Sequence, residues 1–150
     1  MDPTVRIVNG SVILPTGPWE VMPEIHRDLR HHDFYPPFHE LALIPALNAT
    51  GGIPQEARTL HIHYRAPIDG YDWYVAELDP TTGKAYGWHR CGTLFGQWGE
   101  FLLGELEVCT LAPRVTRRQP GAARGPLIVE RNPDFVAAPA GLCLPARTLD

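Results

Sequence analysis

Two β-branched runs, at residues 4–8 and 11–14, flank Asn9-Gly10 near the start of the chain. That dipeptide supplies the two positive-φ positions of a type I′ turn, so the pattern predicts a β-hairpin. Apolar and polar positions alternate again over residues 59–64 and 72–78, with the period of half-buried strands. In the second run Trp73 and Val75 share one face, joined by Glu77 if the alternation continues, and Tyr74, Ala76 and Leu78 take the other. Asp79-Pro80-Thr81-Thr82-Gly83-Lys84 reads as a turn, and residues 85–89 return as the next strand. Residues 99–102 and 127–131 are further short strands. Residues 103–108 read as a helix weakened by Gly104, and residues 23–31 as a second short helix.

Between these elements lie an apolar stretch at 40–47 interrupted by Pro45, a polar arginine-bearing loop at 113–126, and a Pro- and Ala-rich tail after Ala137 expected to leave the body. A succession of strands with few helices predicts an α+β fold. It would be a mostly antiparallel sheet with few short helices on one face and an added N-terminal β-hairpin. No composition shift divides the chain, so residues 1–150 read as a single domain: an extension at 1–40, a core at 41–137 and the tail at 138–150.

Composition sharpens this reading. A chain of 150 residues can bury roughly 70% of its unfolded surface without disulfide staples. Sixteen Pro and fourteen Gly favour short elements and many turns. The net charge of −4 argues against a general nucleic-acid coat or an anionic-membrane binder. Lys84 is the only lysine, so arginine carries nearly all the positive charge. Cys91, Cys109 and Cys143 form no CxxC pair and read as reduced thiols. Met1-Asp2-Pro3 opens no basic and apolar leader, and no apolar run approaches membrane-spanning length. A cytoplasmic location without a membrane partner is the resulting expectation.

Several short motifs recur in a familiar order. Ile44-Pro45-Ala46-Leu47-Asn48-Ala49-Thr50 comes first, then Trp73-Tyr74-Val75-Ala76-Glu77-Leu78-Asp79-Pro80 and Ala85-Tyr86-Gly87. Gly99-Glu100-Phe101-Leu102-Leu103-Gly104-Glu105-Leu106-Glu107 and Leu127-Ile128-Val129-Glu130-Arg131-Asn132-Pro133-Asp134-Phe135 follow. Over about residues 43–136 this series resembles the bacterial domain-of-unknown-function family 2958. The resemblance implies a small domain common in bacteria that carry plasmids and mobile elements, and it implies no established activity. Leu102 stands where the family opens its helix with Ser, which removes the usual N-cap oxygen. Trp88-His89-Arg90-Cys91-Gly92 replaces an acidic stretch, and the first forty residues extend beyond the family pattern.

Candidate chemistry is sparse. Ser11 is the only serine, and neither a Gly-x-Ser-x-Gly elbow nor a phosphate-binding glycine loop is present. His61 and His63, two apart on a strand, project to one face and could ligate a metal given a third donor, although two exposed histidines are the simpler reading. His26, His31, His32 and His39 form an irregular surface stretch. Trp73, Tyr74, Tyr86 and Trp88 gather on two hairpin strands, as packing residues or as a stacking surface. Glu77, Asp79, Glu105, Glu107 and Glu130 form an acidic set that could supply metal ligands or an acid/base pair, though no spacing specifies either, and Glu130-Arg131 could equally be an ion pair closing the sheet edge. Arg114, Arg117, Arg118 and Arg124 make the one local basic patch. Without a catalytic signature or cofactor motif, the sequence favours a non-enzymatic accessory module that contacts another protein. Nucleic-acid binding through the arginine loop and a metal-dependent hydrolase are the alternatives, and no cofactor is expected.

Overall fold

The computed structural model describes residues 6–8, 11–13, 21–30, 32–68, 70–92, 95–111 and 127–145. The expected hairpin is there: β1 (Arg6–Val8) and β2 (Ser11–Ile13) pair antiparallel with Val8 opposite Ser11. A third strand, β3 (Val21–Pro23), joins β2 to complete a small sheet. The helix expected over 23–31 shortens to α1 (Arg27–Arg30), because β3 takes its first residue. Helix α2 (Phe38–Leu41) follows Pro36-Pro37.

The body is a five-stranded antiparallel sheet in the order β11-β5-β6-β7-β8. Its long members are β6 (Tyr71–Asp79) and β7 (Lys84–Cys91), with β8 (Gln97–Leu102) on one edge. The alternating run at 59–64 divides into β4 (Thr59–Leu60) and β5 (Ile62–Arg65). Helix α3 (Leu103–Val108) lies where the sequence puts it. Leu102 offers no side-chain cap, and the Leu103 amide donates instead to the Gly83 carbonyl at 2.9 Å. The β6–β7 turn thereby takes up the first amide of the helix. The single strand expected over 127–131 also divides. Of its halves, β10 (Leu127–Ile128) pairs with β9 (Thr110–Leu111), while β11 (Glu130–Arg131) pairs with β5.

The α+β class with a mostly antiparallel sheet is confirmed, but the sheet is covered on both faces rather than one. On the first face Ile62, Tyr64, Trp73, Val75, Leu78 and Ala85 pack against Phe34, Tyr35, Leu41 and Ile44, and against Leu103 and Leu106 of α3. On the second, Ala76 and Trp88 pack with Leu60, Ala140 and Leu144. Residues 138–145 of the tail therefore do not leave the body: β12 (Ala138–Pro139) pairs with β4, and α4 (Ala140–Cys143) seats Ala140 in the core, while residues 146–150 lie outside the described residues. Burying those apolar side chains outweighs the weak helix and strand preferences of a Pro- and Gly-bearing segment. Likewise the N-terminal extension supplies Phe34 and Tyr35 to the main core.

Two local constraints set the register. Residues Val75 and Glu77 of β6 face Gly87 and Tyr86, which leaves Ala76 as an extra residue in a β-bulge. The bulge reverses the expected alternation: Leu78 joins Trp73 and Val75 on the first face, and Glu77 leaves it. Gly87 sits directly beside the bulge, where an added Cβ would overlap the Tyr74 carbonyl. The second constraint is a buried ion pair between Arg30 and Glu107, both side chains fully enclosed. Arg30 Nη1 donates to Glu107 Oε2, Nη2 donates to the Glu107 carbonyl at 2.9 Å, and Nε donates to the Val129 carbonyl at 2.7 Å. The guanidinium also lies 4.4 Å over the Phe34 ring.

Gly87→Ala is expected to destabilise the domain by about 3 kcal/mol or to prevent folding, because backbone has to move to admit the methyl group. A Gly99→Ala control, whose Cβ would meet only the edge of a histidine ring, costs far less. Arg30→Ala is expected to cost about 3–5 kcal/mol by stranding Glu107 without its partner. Urea denaturation followed by tryptophan fluorescence checks all three variants.

Candidate functional site

Antiparallel pairing aligns side chains across strands, and at one end of the sheet it builds a polar site. His63 and Arg65 project from one side of β5, Asp72 and Tyr74 from the same side of β6, and Trp88 and Arg90 from β7. Two cross-strand rows result: His63–Tyr74–Trp88–Trp98, and beside it Glu130–Arg65–Asp72–Arg90. The charged row borders an open cleft of about 450 Å³.

Asp72 is the hub. Its Oδ1 lies 2.8 Å from His63 Nε2, and its Oδ2 accepts from Arg90 Nε at 2.6 Å. On the other side of the ring, His63 Nδ1 is 3.3 Å from the side-chain amide nitrogen of Asn132, whose backbone N–H also donates to the His63 carbonyl at 2.8 Å. An Asn132 donor at Nδ1 fits the tautomer in which Nε2–H donates to Asp72. The imidazole stacks on Tyr74 with centroids 4.2 Å apart and planes 5° from parallel, and Phe135 meets it edge-on at 5.9 Å. Burial pushes the Asp72 carboxyl up, but hydrogen bonds from His63 and Arg90 outweigh it and hold the group below its usual range. Burial, reinforced by the nearby Asp72 charge, pushes the Tyr74 phenol up to about 12.

The residues singled out from the sequence scatter around this site. His63 belongs to it and is buried at 8% exposure, which corrects the reading of two exposed strand histidines. His61 is half-buried, and its Nε2 is enclosed with no hydrogen-bond partner. Among the described residues no three His, Cys, Asp or Glu side chains gather as a metal-holding group. The aromatic four divide: Trp73 enters the first core, whereas Tyr74 and Trp88 pack on the second face at 5.9 Å. Tyr86 stacks on Trp98 at 6.1 Å, and the Arg58 guanidinium lies over both rings.

Glu77 is remote from the cleft and does structural work. Its Oε1 accepts from the Asn48 amide at 2.7 Å, and its Oε2 accepts from the Thr50 amide at 2.9 Å and from the Thr50 hydroxyl. Burial raises this carboxyl, and those hydrogen bonds lower it further than burial raises it. They secure the turn in which Asn48 takes a φ of 71°. Glu130 lines the cleft and approaches His32 Nε2 at 3.9 Å, while Arg131 Nε donates to the Asp33 carbonyl at 3.0 Å. The two are thus not the ion pair expected from their adjacency. Arg114, Arg117, Arg118 and Arg124 lie outside the described residues.

Asp72, Arg90, Asn132 and Arg30 were not singled out by the sequence; Glu107 was, as one of the acidic set, but without its partner. One signal was present for Glu107: it falls four residues after Leu103 and one after Leu106, on the apolar stripe of α3, where a carboxylate needs a partner.

Comparisons with protein-family models, with characterised proteins and with solved structures find no match to this chain.

Burial lowers the pKa of His61 and of His89 below the ordinary value near 6.5. Both therefore favour the folded state while neutral, and that contribution is lost as pH falls through 6.5 and their folded values, because the unfolded chain binds protons first. Unfolding free energy is expected to fall between pH 7.5 and 5, with a shallower slope in the His61→Gln/His89→Gln variant. Urea midpoints across that range check it.

Proposed function

We propose that this chain is a non-enzymatic accessory module that works by contacting another protein. The observation that carries the reading is the saturation of its best catalytic candidate. Both ring nitrogens of His63 are engaged, by Asp72 and by Asn132, so neither faces a substrate as base or acid. The other buried carboxylates are committed in the same way, Glu77 to the Asn48–Thr50 turn, Glu107 to Arg30, and Glu24 to Arg27 and the Phe34 amide. Such networks hold a shape and commit these side chains to structural partners.

A surface for the partner is supplied by apolar side chains left outside. Ile25 and Leu29 are each 54% exposed, four residues apart across the start of α1. Val108 at the end of α3 is 40% exposed, and its carbonyl lies 3.4 Å from Nε2 of His26, the residue after Ile25. Ile25 is fixed in place by its amide, which donates to Glu107 Oε1 at 2.5 Å. A rigid apolar knuckle of this kind suits a protein contact better than a solvated role. A link to mobile elements is part of the same proposal and rests on the motif resemblance alone.

A photo-reactive amino acid placed at Leu29, in the native host, is expected to give one defined protein adduct that the same group at exposed Glu56 does not give. Adding Ile25→Asp should reduce recovery of that adduct at least ~tenfold. The absence of any adduct, or the same adducts from both positions, overturns the reading.

A further inference from the structure

We propose that the cleft beside β5 and β6 binds the oxyanion of a small molecule, a phosphate ester or a carboxylate, between the guanidinium groups of Arg65 and Arg90. The charge row Glu130–Arg65–Asp72–Arg90 alternates in sign, yet its members are not equally available. Asp72 is consumed, with one oxygen on His63 and the other on Arg90, so little free negative charge projects into the cleft from the middle of the row. Arg90 is hydrogen-bonded to Asp72 through Nε, and its guanidinium lies 5.7 Å from the centroid of the Trp88 ring. Its Nη1–Nη2 edge, which takes a carboxylate or phosphate in a two-pronged fork, meets no partner among the described residues.

Arg65 stands one strand away on the other side of Asp72. It is exposed and, among the described residues, makes no ion pair with either acidic neighbour in the row. Two guanidinium groups therefore flank one carboxylate that Arg90 neutralises, so Arg65 supplies the surplus positive charge and Arg90 a donor edge held in position before any ligand arrives. Preorganisation of that kind reduces the ordering cost of binding. The volume of about 450 Å³ falls in the range of small-molecule sites. Glu130 stands on the outer strand, beyond Arg65 from Arg90, which places the anion on the Arg90 side of Arg65. The site uses none of the side chains assigned above to the protein contact, so each proposal stands or falls alone.

The test follows the arginine Nε–Hε signals of the ¹⁵N-labelled protein during titration with sodium phosphate and, separately, sodium acetate, each against sodium chloride at matched ionic strength. A saturable shift of the Arg90 signal is expected with at least one of the two anions. Response to phosphate alone assigns phosphate esters, and response to acetate alone assigns carboxylates. Arg65→Gln should weaken binding at least ~tenfold, the measure of one lost charged contact, with unchanged circular dichroism because its exposed side chain makes no ion pair among the described residues. Arg58→Gln, away from the cleft on the Tyr86–Trp98 pair, should leave binding unchanged. No saturation beyond that seen with chloride, or equal weakening by the Arg58 and Arg65 variants, overturns the proposal.

Discussion

Arg30 and Glu107 are 77 residues apart in the chain and meet with both side chains fully enclosed. Taking two charges out of water costs several kcal/mol for each, and the attraction between them repays that only with good geometry and further hydrogen bonds. Here the further bonds run to three segments. Arg30 reaches the Glu107 and Val129 carbonyls, and Glu107 accepts the amides of Ile25 and His26. The N-terminal segment, the end of α3 and the approach to β11 are thereby fixed to one point. Phe34, beneath the guanidinium, and Tyr35 follow into the main core, and the Tyr64 hydroxyl closes the contact by donating to the Phe34 carbonyl at 3.0 Å. An apolar pair could fill the same space, but it could not select Arg30 over Arg27, three residues earlier. Arg27 turns outward to Glu24 and Asp33.

That selection marks where the sequence stops being informative. Hydrophobic alternation exposes β6 and β7, and the Asn-Gly signal exposes the first hairpin, because both depend on neighbours in the chain. Helix α3 is legible from its apolar spacing, although its capping partner, the Gly83 carbonyl, is not. Residues 138–145 looked like a loose tail since Pro and Ala carry little periodic signal, and only the β4 edge and the Trp88 side of the sheet give them a place. Nothing local distinguishes Glu77, which holds a turn, from Glu130, which borders a cleft. Their difference is tertiary: one faces the backbone amides of Asn48 and Thr50, the other lies on an edge strand.

The polar site depends on a single extra residue. Counting back from the Asp79–Lys84 pair at the turn without interruption, Asp72 would fall opposite Cys91 and Tyr74 opposite His89. The bulge at Ala76 moves the pairing by one, so that Asp72 meets Arg90 and Tyr74 meets Trp88. Because side-chain direction in a strand alternates, that shift decides which residues share a face as well as which are opposite. Without it the Asp72 carboxylate would lose Arg90, and the aromatic row from His63 to Trp98 would be broken at β7. Gly87, the residue whose missing side chain lets the bulged strand close on its neighbour, therefore stands behind the His63–Asp72–Arg90 arrangement while touching none of its members' polar atoms. The Ala85-Tyr86-Gly87 segment has a physical reason for its glycine: the sheet needs it to bring an aspartate and an arginine into register.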